Sequence, residues 1–475
     1  MEQLVGRKEE IRQLTEYYRS GRPEFVAVYG RRRVGKTFLV RHLFREEFAF
    51  EMSGSIGAGK NVQLSNFGHA LTDYGSPETA LPKNWTEAFL ALKALLKRRL
   101  ETSKRCVVFI DELPCLDTPK SGFMQAFEHF WNSWASDQAG ILLIVCGSAT
   151  SWMIGNLIDS HGGLHNRITH ELHLSPFTLA ETEQLLQVRG FTWSRLSILQ
   201  IYGILGGVPY YLGLLDRTKN VEANVDSLFF AERGELRREY GRLYSSLFKD
   251  SEIYMKVIEI LSSCKQGLTR KELAERMKYA SGGTLTKVLN DLENCDFIRG
   301  YHTRDRKIKQ KDRIYQLTDL YTLFYIQFCH KTTTDEHYWM NLMGKPRQNT
   351  WYGLVFERVC MLHIPQIKKR LGIDRIHTEY YTWRSRLSTP AAQIDLVLER
   401  ADNLLNICEI KYSLYPYVMD KKEEMNLRNR IADFVAETGV RHGILPTLIT
   451  TFGVRPNAHS SIAQVELTLE DLFEG

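Results

Sequence analysis

Phe25-Val26-Ala27-Val28-Tyr29-Gly30-Arg31-Arg32-Arg33-Val34-Gly35-Lys36-Thr37-Phe38 is the stretch from which the rest of the chain is read. An apolar run leads into a loop that meets G-x-x-x-x-G-K-[ST] at every fixed position, and residues 38–44 then read as a helix. Strand, glycine loop and helix in that order predict a backbone that wraps an anion. The glycines permit the turn, the loop N–H groups point inward, and the helix N-terminus favours negative charge. In such a loop Lys36 reaches the β- and γ-phosphates of a nucleotide, and the Thr37 hydroxyl ligates Mg²⁺. Gly30, Arg31, Arg32, Arg33, Val34, Gly35, Lys36 and Thr37 are the predicted nucleotide-binding residues. The alternative is a chance glycine turn, and the flanking strand and helix argue against it.

The next apolar run, Cys106-Val107-Val108-Phe109-Ile110, stops at Asp111-Glu112. A buried strand ending in two carboxylates presents them at the carboxyl edge of a parallel sheet, where ligands bind. Asp111 suits Mg²⁺, and Glu112 suits the base that orients an attacking water. A third buried run, Ile141 to Cys146, ends in Gly147-Ser148-Ala149-Thr150. Ser148 either contacts the γ-phosphate or the attacking water, or caps the next helix. Arg167 is a candidate to stabilise phosphate charge; its ordinary fate is a solvated arginine.

Around these motifs the chain has 475 residues, enough for about three domains at ~150 residues each. Apolar residues make up 43% and charged residues 25%, which excludes a disordered or fibrous chain. The net charge of +6 does not by itself identify a nucleic-acid binder. Eight scattered cysteines include no C-x-x-C pair, so neither a zinc knuckle nor a redox motif is expected. No apolar leader and no run long enough to cross a bilayer is visible, so the expectation is a soluble protein of the reducing cytosol, with no membrane partner.

Leu4-Val5-Gly6-Arg7, the Gly30–Thr37 loop, Phe109-Ile110-Asp111-Glu112, Cys146-Gly147-Ser148 and Gly206-Gly207-Val208-Pro209 occur in an order that resembles the AAA+/STAND-like ATPases of archaea and many bacteria. The resemblance covers roughly 1–250. It implies ATP rather than GTP, with Gly6 and Arg7 near the adenine. It also implies a helical lid containing Gly206 to Pro209, and a role for Arg167 at the phosphates. No separate arginine-finger loop is evident, which weighs against a ring-forming motor.

Beyond residue 250 the pattern changes. Helical segments at 253–262, 270–278 and 283–295 precede a strand–turn–strand stretch at 297–317, the make-up of a winged helix. Arg299, Arg304, Arg306, Lys307, Lys309, Lys311 and Arg313 fall on its wing, with only Asp305 and Asp312 against them. Such a wing contacts a phosphate backbone, or is a soluble hairpin whose lysines protect its edges. The polar stretch 331–350 reads as a linker, and 351–371 as one helix.

The strands 392–400 and 404–411 lie symmetrically about residue 402, so a hairpin sets Asp395 opposite Glu409. Lys411 shares the face of Glu409. Two carboxylates and a lysine suit a divalent metal at a phosphorus centre. The D-x13-E-x-K spacing resembles the PD-(D/E)xK nuclease superfamily, although Ile394 stands where that pattern has proline. The resemblance implies a further acid, Glu357, from the preceding helix. Glu357, Asp395 and Glu409 are then the predicted ligands of a second divalent metal. Asp395, Glu409 and Lys411 carry catalysis, with Gln393 in support. An ion pair on a solvated sheet face is the competing reading.

The predicted architecture is α/β throughout. A P-loop NTPase parallel sheet (1–175) is followed by a helical lid and connector (176–250). A winged helix (251–330) and a small α/β PD-(D/E)xK-like domain (345–475) complete the chain. Three functions compete: an ATP-driven effector that cuts DNA or RNA, a regulatory ATPase switch whose C-terminal domain only binds nucleic acid or protein, and a DNA-remodelling motor. The residues do not choose between DNA and RNA, and they leave the oligomeric state open.

Overall fold

The computed structural model describes residues 3–77, 81–159, 163, 166–248, 250–278, 282–302, 313–330, 334–385, 387 and 392–474. Two compact units divide the chain, Met1–Ser175 and Pro176–Gly475.

The first unit is built on five strands: β1 (Glu24–Tyr29), β2 (Phe48–Ser53), β3 (Cys106–Asp111), β4 (Ile141–Gly147) and β5 (His170–His173). Their spatial order is β2-β3-β4-β1-β5, and every pairing is parallel. Helices cover both faces, which is why β1, β3 and β4 are apolar without alternation. Successive residues simply serve different cores. Phe25 and Ala27 join Cys106, Val108, Ile110, Leu143 and Val145 on one face. Val26 and Val28 join Val107, Phe109, Ile144 and Cys146 on the other. Helices α1 (Lys8–Arg19) and α2 (Lys36–Phe44) pack on the second face, and α3 (Lys60–Asp73), α4 (Trp85–Thr102) and α5 (Phe123–Ser133) on the first.

The second unit begins with helices α6 (Leu179–Val188) and α7 (Arg195–Leu205). Thr178 and Glu181 form a reciprocal capping box at α6, a local arrangement that contributes about 1 kcal/mol. The predicted lid residues Gly206 to Pro209 end α7 and start a short helix, Pro209–Gly213.

Three helices follow, α8 (Ser251–Ser262), α9 (Arg270–Met277) and α10 (Gly283–Asn294). With them goes a small antiparallel sheet of β6 (Leu268–Thr269), β7 (Ile298–Tyr301) and β8 (Ile314–Leu317), in the order β6-β8-β7.

The predicted linker is not one over its described residues. Trp339 is fully buried, packed edge-on against Phe324, Phe328 and Tyr352, and its backbone N–H donates to Asp226 Oδ1 at 2.7 Å. An indole in the core outweighs the polar composition around it.

The predicted 351–371 helix is two, α11 (Pro346–Leu362) and α12 (Ile364–Arg370), broken at His363 because Pro365 cannot continue the hydrogen-bond ladder. His363 is buried; its Nε2 accepts the N–H of Leu179 at 3.0 Å while Nδ1 lies 2.8 Å from the Val359 carbonyl. Burial, opposed in part by the Val359 carbonyl and Glu181, pushes its pKa down from 6.5 to about 4. A depressed histidine pKa means the unfolded chain binds more protons between those values. Stability is then full above the unfolded pKa and falls with pH toward the folded one, by up to about 3 kcal/mol. The melting temperature of the wild type is expected to drop more between about pH 7.5 and about pH 5 than that of His363→Gln; parallel curves would remove His363 as the cause.

The C-terminal sheet has the order β13-β12-β11-β10-β9, from β9 (Thr378–Arg384), β10 (Gln393–Arg400), β11 (Leu404–Lys411), β12 (Gly443–Thr450) and β13 (Val465–Thr468). The β9–β10 and β10–β11 pairs are antiparallel and the other two parallel, with helix α13 (Lys421–Thr438) connecting β11 to β12. One apolar cluster runs from Phe177 through the three-helix segment to Phe473, so the three segments predicted after residue 175 share a core. Among the described residues, no helix is long and apolar enough to cross a membrane.

Candidate functional site

Because β1, β3 and β4 are parallel neighbours, their carboxyl ends meet at one edge. Tyr29 is in register with Gly147, and Ile110 with Val145. The loop 30–35 therefore opens beside Asp111, Glu112 and Ser148. Two glycines make the loop possible. A Cβ on Gly30 would stand 2.2 Å from the Leu174 carbonyl oxygen, and Gly35 has φ 93° at the start of α2.

Lys36 is buried, and its Nζ donates to the carbonyls of Gly30 (2.8 Å) and Arg31 (3.0 Å). The ammonium is thus held inside the loop. Thr37 Oγ1 donates to Asp111 Oδ2 at 2.8 Å, and the Glu112 N–H donates to Asp111 Oδ1 at 3.0 Å. Burial raises the pKa of Asp111, Glu112 adds to the rise, and the two hydrogen bonds oppose it.

Glu112 has left-handed backbone geometry (φ 46°), uncommon for a residue with a Cβ. Its Oε2 accepts from the Ser148 N–H (3.2 Å) and hydroxyl (2.9 Å). The alternative of Ser148 as a helix cap fails, since Ala149 occupies the cap position and the Ser148 side chain is turned to Glu112.

Arg7 is buried, and its Nη2 donates to the carbonyls of Val34 (3.1 Å) and Ser175 (2.6 Å). It braces the loop backbone at Val34, one residue after Gly6 with φ 66°. Arg32, Arg33 and Val34 complete the loop, and Arg31 is buried. Arg167 is exposed in the turn before β5, and among the described residues no hydrogen bond joins it to the loop. Sequence reading missed Gln63 of α3. Its buried amide donates to the Ser55 (2.7 Å) and Cys115 (3.0 Å) carbonyls and ties β2 to the segment after Glu112. A lone glutamine within a helix gives no signal for this.

Residues 4–215 match the family model of an ATPase domain predominantly from Archaea. This segment is similar to archaeal P-loop ATPase domains. The match includes β1, β3 and β4 with the loop 30–35 between β1 and α2. The chain is 24% identical over 418 residues to the uncharacterized protein MJECL04 of Methanocaldococcus jannaschii, covering 86% of this chain and 87% of that one. Among solved structures, the Walker-type ATPase of Pyrococcus abyssi is 18% identical with a TM-score of 0.47, over 68% of this chain and 96% of the other. The ORC2 protein of Aeropyrum pernix, solved in ADPNP–ADP complexes, is 16% identical with a TM-score of 0.41, over 68% and 93%.

The second unit holds a separate polar cluster. The hairpin pairs Leu396 with Cys408 and Val397 with Ile407, the register expected from a turn at 402, so Asp395 follows opposite Glu409. Ile394 and Val397, three residues apart, lie in the same core, and the pairing with β9 shifts between them. That bulge re-aims Asp395. Its Oδ2 accepts the Ile410 N–H at 3.1 Å, and burial, then Glu409 and Glu357, push its pKa up to about 7. Burial likewise raises Glu357, against the pull of Lys265.

Glu409 is held on both oxygens, by Lys411 Nζ (2.9 Å) and by Arg430 Nη1 of α13 (2.6 Å). Glu357 is held by Lys265 Nζ (2.6 Å). Burial alone would lower the pKa of Lys411, but Glu409, by charge and hydrogen bond, and Asp395 outweigh it and raise it. Among the described residues, no group of three or more His, Cys, Asp or Glu side chains is placed to hold a metal ion. Of the predicted ligand set, Glu409 is held by cations on both oxygens and Glu357 on one, whereas Asp395 accepts a backbone N–H.

On the basic hairpin, Arg304, Arg306, Lys307, Lys309 and Lys311 lie outside the described residues. The other two are internal. Arg299 Nε donates to Gln316 (2.9 Å), and Arg313 pairs with Glu293 at 2.5 Å.

Proposed function

We propose that this protein is an ATP-binding and ATP-hydrolysing switch whose N-terminal domain controls a nuclease-like C-terminal domain. The observation that carries the first half is the shared strand edge that gathers Lys36, Thr37, Asp111, Glu112 and Ser148, within a segment that matches an ATPase family. Lys36 neutralises the β/γ-phosphates, and Glu112 orients the attacking water. Thr37 and Asp111, hydrogen-bonded hard-oxygen donors beside the loop, suit Mg²⁺, which when bound supplies charge neutralisation at the phosphates. Ser148 holds the Glu112 carboxylate in place.

The three helices with a three-stranded antiparallel sheet support the winged-helix reading of 251–330. Helix α11, three antiparallel strands, helix α13 and the parallel β12 support the PD-(D/E)xK-like reading of 345–475. The hairpin register that sets Asp395 against Glu409 and Lys411 supports its chemistry. DNA or RNA is the partner this reading implies.

The test is incubation of plasmid DNA and a labelled single strand with the full chain in Mg²⁺ or Mn²⁺, with and without ATP, beside Asp395→Ala. Cleavage by the wild type, lost in the variant by at least about 100-fold as for removal of a central catalytic group, is the expected result. Intact ATP turnover with no cleavage in any lane favours a second reading, a regulatory ATPase whose C-terminal domain binds without cutting. The ion pairs that already engage both oxygens of Glu409 are the observation on that side.

A further inference from the structure

We infer that Lys265, on the loop between α8 and β6, is a built-in counter-ion that closes the C-terminal carboxylate cluster to divalent cations. This rests on the reading of Asp395, Glu409 and Lys411 as that domain's chemical centre, and goes beyond it.

Lys265 is not part of the C-terminal sheet. It arrives from the three-helix segment, about ninety residues before Glu357 in the chain, yet its Nζ lies 2.6 Å from Glu357 Oε1. An exposed ion pair of this kind ordinarily holds little. Here the backbone is clamped. The Lys265 carbonyl accepts from Gln316 Nε2 of β8 at 2.7 Å and also from Arg358 Nη2. Arg358 is buried and adjoins Glu357. The next carbonyl, of Gln266, accepts from the Tyr301 hydroxyl at 2.7 Å, and the Gln266 amide donates to the Gln393 side chain beside β10. Four side chains, one each from β7, β8, β10 and α11, thus contribute to fixing the two residues that deliver the ammonium.

The ion pairs then divide the cluster. Glu357 is paired with Lys265, and Glu409 with Lys411 and Arg430, while Asp395 between them accepts the Ile410 N–H. A divalent cation approaching Glu357 or Glu409 must displace an ammonium or guanidinium. Lys411 and Arg430 belong to the same small domain as their partner Glu409. Of these three cations only Lys265 comes from outside that domain, so the three-helix segment sets whether Glu357 is ion-paired. Its withdrawal would free the Glu357 carboxylate beside Asp395, the condition that favours a metal ion.

The experiment is Mn²⁺ titration of nucleotide-free full-length protein, with free Mn²⁺ read by electron paramagnetic resonance. Wild type, Lys265→Met, Lys265→Arg and the double variant Lys265→Met with Asp395→Asn are compared, each checked for an unchanged melting temperature. Lys265→Met is expected to bind Mn²⁺ at least about tenfold more tightly than wild type, since a unit charge a few ångströms away is removed. Lys265→Arg should stay like wild type, and the double variant should lose the gain. Equal Mn²⁺ affinity in wild type and Lys265→Met, including no binding in either, overturns the inference, as does a gain that survives Asp395→Asn. The two readings fail separately. A Mn²⁺ gain without cleavage sinks the nuclease and keeps the counter-ion. Cleavage dependent on Asp395 with equal affinities does the reverse.

Discussion

Lys36→Ala is expected to lower ATP affinity by about 100-fold or more, in line with the loss of one partner from a buried charge-assisted contact. The Lys36 ammonium is buried and already fixed at the loop by the Gly30 and Arg31 carbonyls. Little ordering is therefore left to do when a triphosphate arrives, and the attraction acts at low local dielectric. Removing it leaves two carbonyls turned toward an anion. Equilibrium binding of a fluorescent ATP analogue to wild type and variant is the direct measurement. Because the loop is also shaped by Gly30, Gly35 and Arg7, the variant should keep its fold, checked by its melting temperature. Wild-type affinity in a folded Lys36→Ala protein would remove the loop from the nucleotide site.

Glu112→Gln should leave ATP binding nearly unchanged and slow hydrolysis by about 100- to 10,000-fold, the range for loss of a positioned general base. The carboxylate stands where the Asp111 strand ends, and it is held by two hydrogen bonds from Ser148. Glutamine keeps an acceptor oxygen for those bonds but no basic oxygen for a water proton. Single-turnover hydrolysis separates this from any effect on binding or release. An unchanged rate would move the base to another residue, and a collapse of affinity would make Glu112 a binding group instead. Removing only the Ser148 hydroxyl should reproduce part of the rate loss, because the carboxylate would lose its anchor while keeping its charge.

The phosphate loop and the two carboxylates after β3 were legible because their chemistry is local. A glycine turn and a strand end each declare themselves within about ten residues. The C-terminal hairpin was legible for a related reason: symmetry about a two-strand turn sets register without any knowledge of the rest of the fold. Arg7 was singled out, but only burial shows it bracing Val34. The 331–350 stretch misled because composition speaks of solvent while one tryptophan decides burial.

Lys265, Arg430 and Gln63 gave no signal at all. Each acts on a partner brought near by packing rather than by chain order, and none sits in a pattern with a required spacing. The same holds for the insertion of β4 between β1 and β3, which sets Ser148 beside Glu112. Strand identity follows from apolar runs, whereas strand order follows from how the covering helices share both faces of the sheet. The amino-acid sequence by itself determined the glycine loop with its lysine and threonine, where the strands run and which carboxylates end them. Tertiary structure alone decided which cations answer those carboxylates, because ion pairing depends on distances of a few ångströms between residues that the chain keeps up to about ninety positions apart.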